Sequence, residues 1–152
     1  MSFQSQVNIN LALGKEGTIS RLNPLTSLPM VAEADVKAGG FVFEGTNPEL
    51  QVVGIKASAT SVKGFAVFEN MQANYTGTNT MSVNDGENVQ VVLKGWCYAR
   101  PTTASVNGQS VYVNPTTGEI QTASSKPENF IDTGWKVETG NGANQVCEIY
   151  NI

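Results

Sequence analysis

The side chains of this chain that could carry out chemistry are carboxylates, hydroxyls and two cysteines, because its 152 residues include no histidine. Without histidine, a Ser-His-Asp or Cys-His nucleophile pair and a histidine-ligated zinc or iron site are excluded within one chain. The hydroxyls have no obvious lysine partner that could act as a base. Dinucleotide fingerprints, phosphate-binding loops and nucleophile elbows are also missing from the sequence. We therefore expect no enzyme, no metal site and no cofactor.

The carboxylates form one cluster with a suggestive spacing, Asp85 and Glu87 on either side of Gly86. Two carboxylates in a cleft can hydrolyse a glycosidic bond, and an acidic loop can bind calcium. Nothing in the sequence pairs either acid with an apolar pocket that would raise its pKa. The stretch 84–88 also lacks the full calcium-ligand spacing with its terminal bidentate glutamate. The sequence favours a hairpin turn at this position.

The two cysteines, Cys97 and Cys147, lie fifty positions apart in segments that we predict to be strands. They could form a disulfide only if those strands were neighbours with Cα atoms within about 7 Å. The first residues lack the basic and apolar regions of a signal peptide, so we expect synthesis in the cytoplasm. In that compartment, two buried and reduced thiols are the expected state.

The charge of the chain bears on its partners. Nine lysines and arginines stand against thirteen aspartates and glutamates, which gives a formal net charge of −4. An acidic chain gains little from the counterion release that drives binding to a phosphate backbone. No apolar run approaches the ~18 residues of a membrane span. We expect neither nucleic acid nor a membrane as a partner.

The composition favours β-structure. Charged residues make up 14% of the chain, compared with about 25% in an average globular domain, whereas valine, threonine and turn-forming residues are plentiful. Short apolar runs recur between turn signals in the ranges 41–43, 51–55, 65–68, 80–83, 89–98, 111–113, 131–137 and 145–150. This spacing predicts an all-β domain over residues 36–152, a compact β-barrel or sandwich of short antiparallel strands with almost no helix.

A glycine precedes an aromatic residue at the start of several predicted strands. The pairs are Gly40-Phe41, Gly64-Phe65, Gly95-Trp96 and Gly134-Trp135. Glycine at such a position marks a bend or bulge where another backbone passes closely. The alternative is that these aromatic residues form a platform for a ligand.

The first 35 residues differ in character from the rest of the chain. Val7, Ile9, Leu11 and Leu13 alternate with less apolar residues, as in a strand with one buried face. The residues after them are rich in glycine and proline and cannot build a core of their own. We predict that residues 1–35 form an extended N-terminal arm that docks on another chain. The alternatives are that the arm docks on its own domain, or that residues 7–13 form the first strand of the domain sheet.

Three stretches carry a resemblance to a known family. They are residues 13–24, which end in Asn-Pro; residues 63–68, with a Gly-Phe strand; and residues 95–114, with a glycine-aromatic strand and a Gly-x-x-Val-Tyr strand. In this order they resemble the structural cement, or capsid-decoration, proteins of tailed bacteriophages, and residues 115–120 and 141–149 extend the likeness. The chain departs from the family pattern at Leu22, where a smaller residue is usual.

The resemblance implies a non-enzymatic virion protein on the outer face of a capsid. It implies the major capsid protein as a partner, a homotrimer at local three-fold positions, and reinforcement of the shell against packaged DNA. The arm is suited to adding a strand to a partner's sheet, and Arg21 could pair with a capsid carboxylate. The candidate partner-binding residues are Val7, Ile9, Leu11, Leu13, Arg21, Asn23 and Pro24.

An alternative function is a carbohydrate-binding or receptor-binding β module of a phage fibre or a cell surface. Trp96, Tyr98, Tyr112 and Trp135 could supply faces on which a sugar stacks. Such a module would expose at least two of these rings in one groove. A cement protein would bury them or place them between subunits.

Overall fold

The computed structural model describes residues 14–67, 74–75 and 81–152. Within these ranges the chain forms strands and no helix, which confirms the all-β prediction. The strands are β1 (Ile19–Ala32), β2 (Val36–Lys37), β3 (Phe41–Glu44), β4 (Gln51–Val53), β5 (Gly64–Val67), β6 (Asn74–Tyr75), β7 (Met81–Val83), β8 (Asn88–Ala99), β9 (Ser110–Val113), β10 (Ile120–Ala123), β11 (Ile131–Thr139) and β12 (Cys147–Asn151).

The strands form one large sheet and one small one. The large sheet has the order β1-β4-β3-β5-β8-β12-β11-β9-β10, and the small sheet has the order β2-β7-β6. Among the described strands, all pairings are antiparallel except the short parallel contact between β1 and β4. Because β1 also pairs with β8, the strands β1, β4, β3, β5 and β8 form a closed ring of pairings.

Strands β3 and β5 are buried on both faces, which explains their uninterrupted apolar sequences. Phe43 and Phe65 face a cluster that includes Trp135 of β11, whereas Val42 and Ala66 face a second cluster. Every strand of the ring contributes to this second cluster, as does the small sheet. The alternation along β3 and β5 therefore separates two cores, because successive side chains point to opposite faces of a strand.

Glycines allow backbones to approach each other closely, as the sequence predicted. A Cβ on Gly64 would lie 2.6 Å from the carbonyl oxygen of Val92 on the neighbouring strand. Gly134 adopts a φ of +79°, within a segment of β11 where the pairing register shifts. The aromatic residues that follow these glycines, Phe65 and Trp135, are buried in the core, so they do not form a ligand platform.

The outer edge of β10 is covered by its own chain. The amide of Thr102 donates to the carbonyl oxygen of Ile120 at 2.9 Å, and the amide of Thr122 donates to the hydroxyl of Thr103 at 2.9 Å. These bonds occupy backbone groups that an edge strand would otherwise present to another chain. This end of the sheet is therefore a poor site for strand addition by a partner.

The two cysteines are buried, and no disulfide joins them. Strands β8 and β12 are neighbours, but Cys97 lies opposite Ile149 and Cys147 lies opposite Ala99. Diagonal positions of this kind are about 7–8 Å apart, which is beyond the reach of a disulfide. Burial raises the pKa of the Cys147 thiol, although a hydrogen bond with Ser105 opposes that shift.

The predicted arm has two parts with different outcomes. Residues 1–13 lie outside the described residues, so the prediction for them stays a prediction. Residues 19–32 form β1, which pairs with β8 over most of its length. Near the end of β1, Met30 and Ala32 are buried in the second cluster. This part of the predicted arm docks on its own domain, an alternative that the sequence left open.

The raised pKa of Cys147 predicts a pH-dependent stability. The folded protein keeps this thiol protonated at pH values where the unfolded chain ionises it. The resulting stabilisation is fully present below the unfolded pKa and is lost as the pH rises through the folded pKa. Between roughly pH 8 and pH 10, we expect the melting temperature of the wild type to fall more steeply than that of Cys147→Ala. An equal fall of the melting temperature with pH in both proteins would contradict the raised pKa of Cys147.

Candidate interaction site

Strand β1 carries a bulge in the middle of its pairing with β8. Arg21 lies opposite Trp96, but the next paired residue, Thr26, lies opposite Lys94. Four residues of β1 therefore face a single residue of β8, Gly95. These residues, 22–25, leave the plane of the sheet, and we call them the β1 bulge.

The tip of the β1 bulge, residues 22–24, is exposed, whereas Leu25 at its base packs against the domain. Leu22 is 76% exposed, and Asn23 and Pro24 are also exposed. Leu25 is half-buried and packs against the core that contains Trp135. Leu22 is the most exposed of the six large apolar side chains that the described part of the chain presents to solvent, which makes it a candidate for contact with another chain.

Gly95 provides the space in which the base of the bulge packs. It adopts a φ of +148°, and a Cβ at this position would lie 3.0 Å from Cδ1 of Leu25 and 3.3 Å from the carbonyl oxygen of Pro24. A side chain would therefore crowd the Leu25 side chain and the Pro24 carbonyl group, and both would have to shift. The predicted role of this glycine, a close approach of two backbones, is confirmed.

Three side chains form a row across β1, β8 and β12 at the base of the bulge. Arg21 lies opposite Trp96, and Trp96 lies opposite Tyr150. The guanidinium carbon of Arg21 is 4.0 Å from the centroid of the Trp96 ring, and the Trp96 and Tyr150 rings stack with centroids 4.6 Å apart. Since Trp96 belongs to the middle strand, its two neighbours cover both faces of its ring.

A buried carboxylate holds the same region of β1. Glu148 is 6% exposed and accepts hydrogen bonds from the Ser20 hydroxyl, from Nη2 of Arg21 at 3.3 Å and from the Thr139 hydroxyl at 3.5 Å. The register shifts by one residue between Ile19 and Arg21, which makes Ser20 an extra residue in β1. A buried carboxylate is costly unless such donors satisfy it. Glu148 therefore fixes the backbone that leads into the bulge.

The residues that precede β1 are also fixed. The amide of Gly17 donates to the carbonyl oxygen of Tyr98 at 3.0 Å. The carboxylate of Glu16 lies 3.9 Å from Nζ of Lys37 and 3.8 Å from Nε of Arg100. These contacts hold Glu16 and Gly17 against the domain. The predicted partner-binding residues Val7, Ile9, Leu11 and Leu13 lie outside the described residues.

Three of the predicted partner-binding residues come together in the structure. Arg21, Asn23 and Pro24 all lie in or beside the β1 bulge. Arg21 pairs with Glu148 of its own chain, and its side chain remains 49% exposed. Sequence analysis missed Glu148, although a single acid within the apolar strand β12 was a usable signal. It noted Leu22 only as a departure from the family pattern.

The aromatic residues do not form the open groove that a sugar-binding module requires. Tyr112 and Trp135 are buried. Both faces of Trp96 are covered, and Tyr98 packs so closely on Gly14 that no side chain would fit there. Trp96 and Tyr98 are half-buried and pack against their own chain, so the four rings share no open groove.

One surface cavity of about 320 Å³ contains two carboxylates, those of Asp35 and Glu119. Asp35 accepts a hydrogen bond from the amide of Asp85, and Glu119 accepts hydrogen bonds from the side chains of Gln121 and Thr102. These bonds to Gln121 and Thr102 lower the pKa of Glu119. A general acid requires a raised pKa, so this carboxylate is tuned in the opposite direction.

Metal and membrane sites can be assessed only where the structure describes the chain. No group of three or more cysteine, aspartate or glutamate side chains that could hold a metal ion occurs among the described residues. The same residues include no helix that is long and apolar enough to cross a membrane.

The chain matches one family model and is similar to two solved structures. A family model described as "Structural cement protein (E217 gp24/Pam3 gp6)" matches residues 3–151. A chain from the capsid of Myoviridae phage XM1 is similar in structure, with a TM-score of 0.67 and 14% identity over 99% of this chain and 97% of that chain. The base of the head fibre protein gp8.5 of bacteriophage phi29 is also similar, with a TM-score of 0.52 and 11% identity over 84% of this chain and 94% of that chain. At these identities the two structures show a shared fold. No curated protein sequence matches the chain.

The packing of Gly95 predicts the effect of a single methyl group. We expect Gly95→Ala to lower the free energy of unfolding by about 1–3 kcal/mol, because the new Cβ is strained and displaces the bulge. Gly86→Ala is the matched control, since Gly86 also has a positive φ but no atom within 4 Å of the added Cβ. Only Gly95→Ala should change the fluorescence of Trp96. Equal changes in the fluorescence spectra of both variants would contradict the role of Gly95 in providing space for the β1 bulge.

Proposed function

Because the chain belongs to the family of phage structural cement proteins, we propose that it binds the outer face of a phage capsid and reinforces the shell by bridging capsid subunits. In this proposal the protein acts as a homotrimer, and its partners are the major capsid protein and other copies of itself. It is made in the host cytoplasm and ends on the virion surface. It has no catalytic step and needs no cofactor.

The observation that carries this proposal is the β1 bulge. Leu22 projects from a segment whose base is held by Glu148 and Gly95 and by the packing of Leu25. A contact that is already ordered before binding loses little conformational entropy when the complex forms. Burying one leucine side chain contributes about 1.5–3 kcal/mol, so this tip alone can change affinity roughly tenfold or more.

The N-terminal segment is the second contact in the proposal. Val7, Ile9, Leu11 and Leu13 alternate as in a strand that could extend a partner's sheet. The hydrogen bond from the Gly17 amide to the Tyr98 carbonyl oxygen supports this role, since it fixes the domain a few residues after this segment in the sequence. Backbone hydrogen bonds would supply the affinity, and the four apolar side chains would supply the specificity.

The composition supports assembly of many copies on one particle. Charged residues make up 14% of the chain, and its net charge is only −4. Low net charge limits repulsion between neighbouring copies. Contacts built from backbone, amide and apolar groups also hold over a wide pH range, because these groups do not titrate.

The test uses purified protein and undecorated capsids, which are mixed and sedimented together. We expect the wild type to sediment at a fixed stoichiometry and Leu22→Ser to bind at least about tenfold more weakly. Substitution of an exposed leucine should leave the free energy of unfolding within about 0.5 kcal/mol of the wild-type value. Native mass spectrometry of the released protein measures the oligomer, for which we expect a trimer.

Val106→Ser is the matched control, because Val106 is 61% exposed but lies in a turn outside the β1 bulge. It should bind capsids as the wild type does. Failure of the wild type to bind would contradict the proposed function. Equal binding by Leu22→Ser and the wild type would leave the function intact and contradict the assignment of the bulge as the contact.

A further inference from the structure

Four side chains form a row across the outer face of the sheet beside the β1 bulge. Arg21 of β1 lies opposite Trp96 of β8. Trp96 lies opposite Tyr150 of β12, and Tyr150 lies opposite Lys136 of β11. Residues that lie directly opposite each other point to the same face of a sheet, and three strand spacings span about 14 Å. The row therefore begins at the base of the bulge and continues well beyond it.

The two most exposed large apolar side chains of the described residues lie beside the same short stretch of β8. Leu22, 76% exposed, belongs to the bulge that lies opposite Gly95 on one edge of this strand. On the other edge, Asn151 lies opposite Gly95, and Ile152, 66% exposed, follows it directly. Strands β1 and β12 are therefore only two spacings apart at this point, about 10 Å. One partner surface can cover both side chains.

The exposed charges around the row are opposite in sign to the net charge of the chain. The chain as a whole has a net charge of −4, yet Arg21, Lys94 and Lys136 are all exposed here. Within two residues of the row along each strand, the carboxylates are those of Glu138, which is half-buried, and Glu148, which is buried and pairs with Arg21. Neither lysine forms an ion pair with another described residue.

We propose that this surface docks on a part of the major capsid protein that has apolar side chains at its centre and carboxylates at its rim. We call it the Gly95 face, and it comprises the row and the residues within two positions of it on β1, β8, β12 and β11. The inference rests on the proposed function and extends its contact from the bulge to four strands. Tryptophan, tyrosine and arginine, which make up most of the row, are enriched in protein interfaces. The exposed cations would guide the encounter and fix the orientation of the partner.

A second copy of this chain is a poorer match for the Gly95 face. If two such faces met, cations would oppose cations, which is unfavourable. The carboxylates of a neighbouring copy are also poorly available, because most of those described already accept a hydrogen bond or an ion pair within their own chain. Charge complementarity therefore favours the capsid protein as the occupant.

The first test substitutes an apolar side chain of the face in the full-length protein and measures binding to undecorated capsids. We expect Ile152→Ser to bind roughly tenfold more weakly than the wild type, because one large apolar side chain is no longer buried in the contact. Leu50→Ser is the matched control, since Leu50 is 60% exposed but precedes β4, which is not part of the face. It should bind as the wild type does. Both side chains are exposed, so both variants should keep the wild-type melting curve.

The second test reverses a charge and measures the rate of association with capsids. At low ionic strength, Lys94→Glu should slow association on the order of tenfold, and the difference should largely disappear at high salt. Lys126→Glu changes the net charge equally but lies between β10 and β11, outside the Gly95 face. It should slow association much less.

The outcomes separate this inference from the proposed function. Failure of the wild type to bind capsids would contradict both. If the wild type binds, but Ile152→Ser binds as well as Leu50→Ser and Lys94→Glu associates as fast as Lys126→Glu, the Gly95 face is overturned and the function stands. Native mass spectrometry tests the occupant: dissociation of the oligomer by Ile152→Ser, with capsid binding unchanged, would assign the face to a neighbouring copy and overturn the proposal.

Discussion

The pairing of β8 with its neighbours is the constraint on which the rest of the structure depends. One edge of this strand pairs with β1, and the other pairs first with β5 and then with β12. The pairing with β1 closes the ring around one core, and the pairing with β12 leads into the strands that enclose the other core. Since β1 has more residues than β8 can match, the excess must leave the sheet, and it does so as the β1 bulge. The same pairing that closes the fold thus creates the exposed segment to which we assign partner binding.

The local environment explains why that segment has a defined shape. Glu148 is buried and requires donors, and β1 supplies two of them from Ser20 and Arg21. Arg21 in turn covers one face of Trp96, whose other face stacks on Tyr150. Hydrogen bonds to Glu148 therefore fix both Ser20 and Arg21, and packing on Trp96 fixes Arg21 a second time. A segment tied in this way differs from a solvated loop, because contacts within the domain hold the backbone on either side of its exposed leucine.

The sequence predicted the strands whose pattern is local. In β11 the buried residues alternate strictly with exposed ones, and in β3 and β5 the apolar runs are short and bounded by glycine or proline. Strand β1 was harder to recognise, because Pro24 and Pro29 and four extra residues interrupt its alternation. The pairing of Arg21 with Glu148 joins residues 127 positions apart, and no local pattern reports such a contact. The predicted arm comprised residues 1–35; its residues 19–32 form β1, whereas residues 1–13 lie outside the described residues, and for them the arm stays a prediction.

The central claim is that residues 22–24 contact another polypeptide on the particle. A reconstruction of undecorated capsids incubated with this protein, at a resolution that shows side chains, tests it most directly. The account predicts that Leu22 lies against the major capsid protein or a neighbouring copy, with the Arg21–Glu148 pair retained beneath it. A reconstruction in which the bulge faces solvent on every bound copy, while the protein is attached through another surface, would contradict the account.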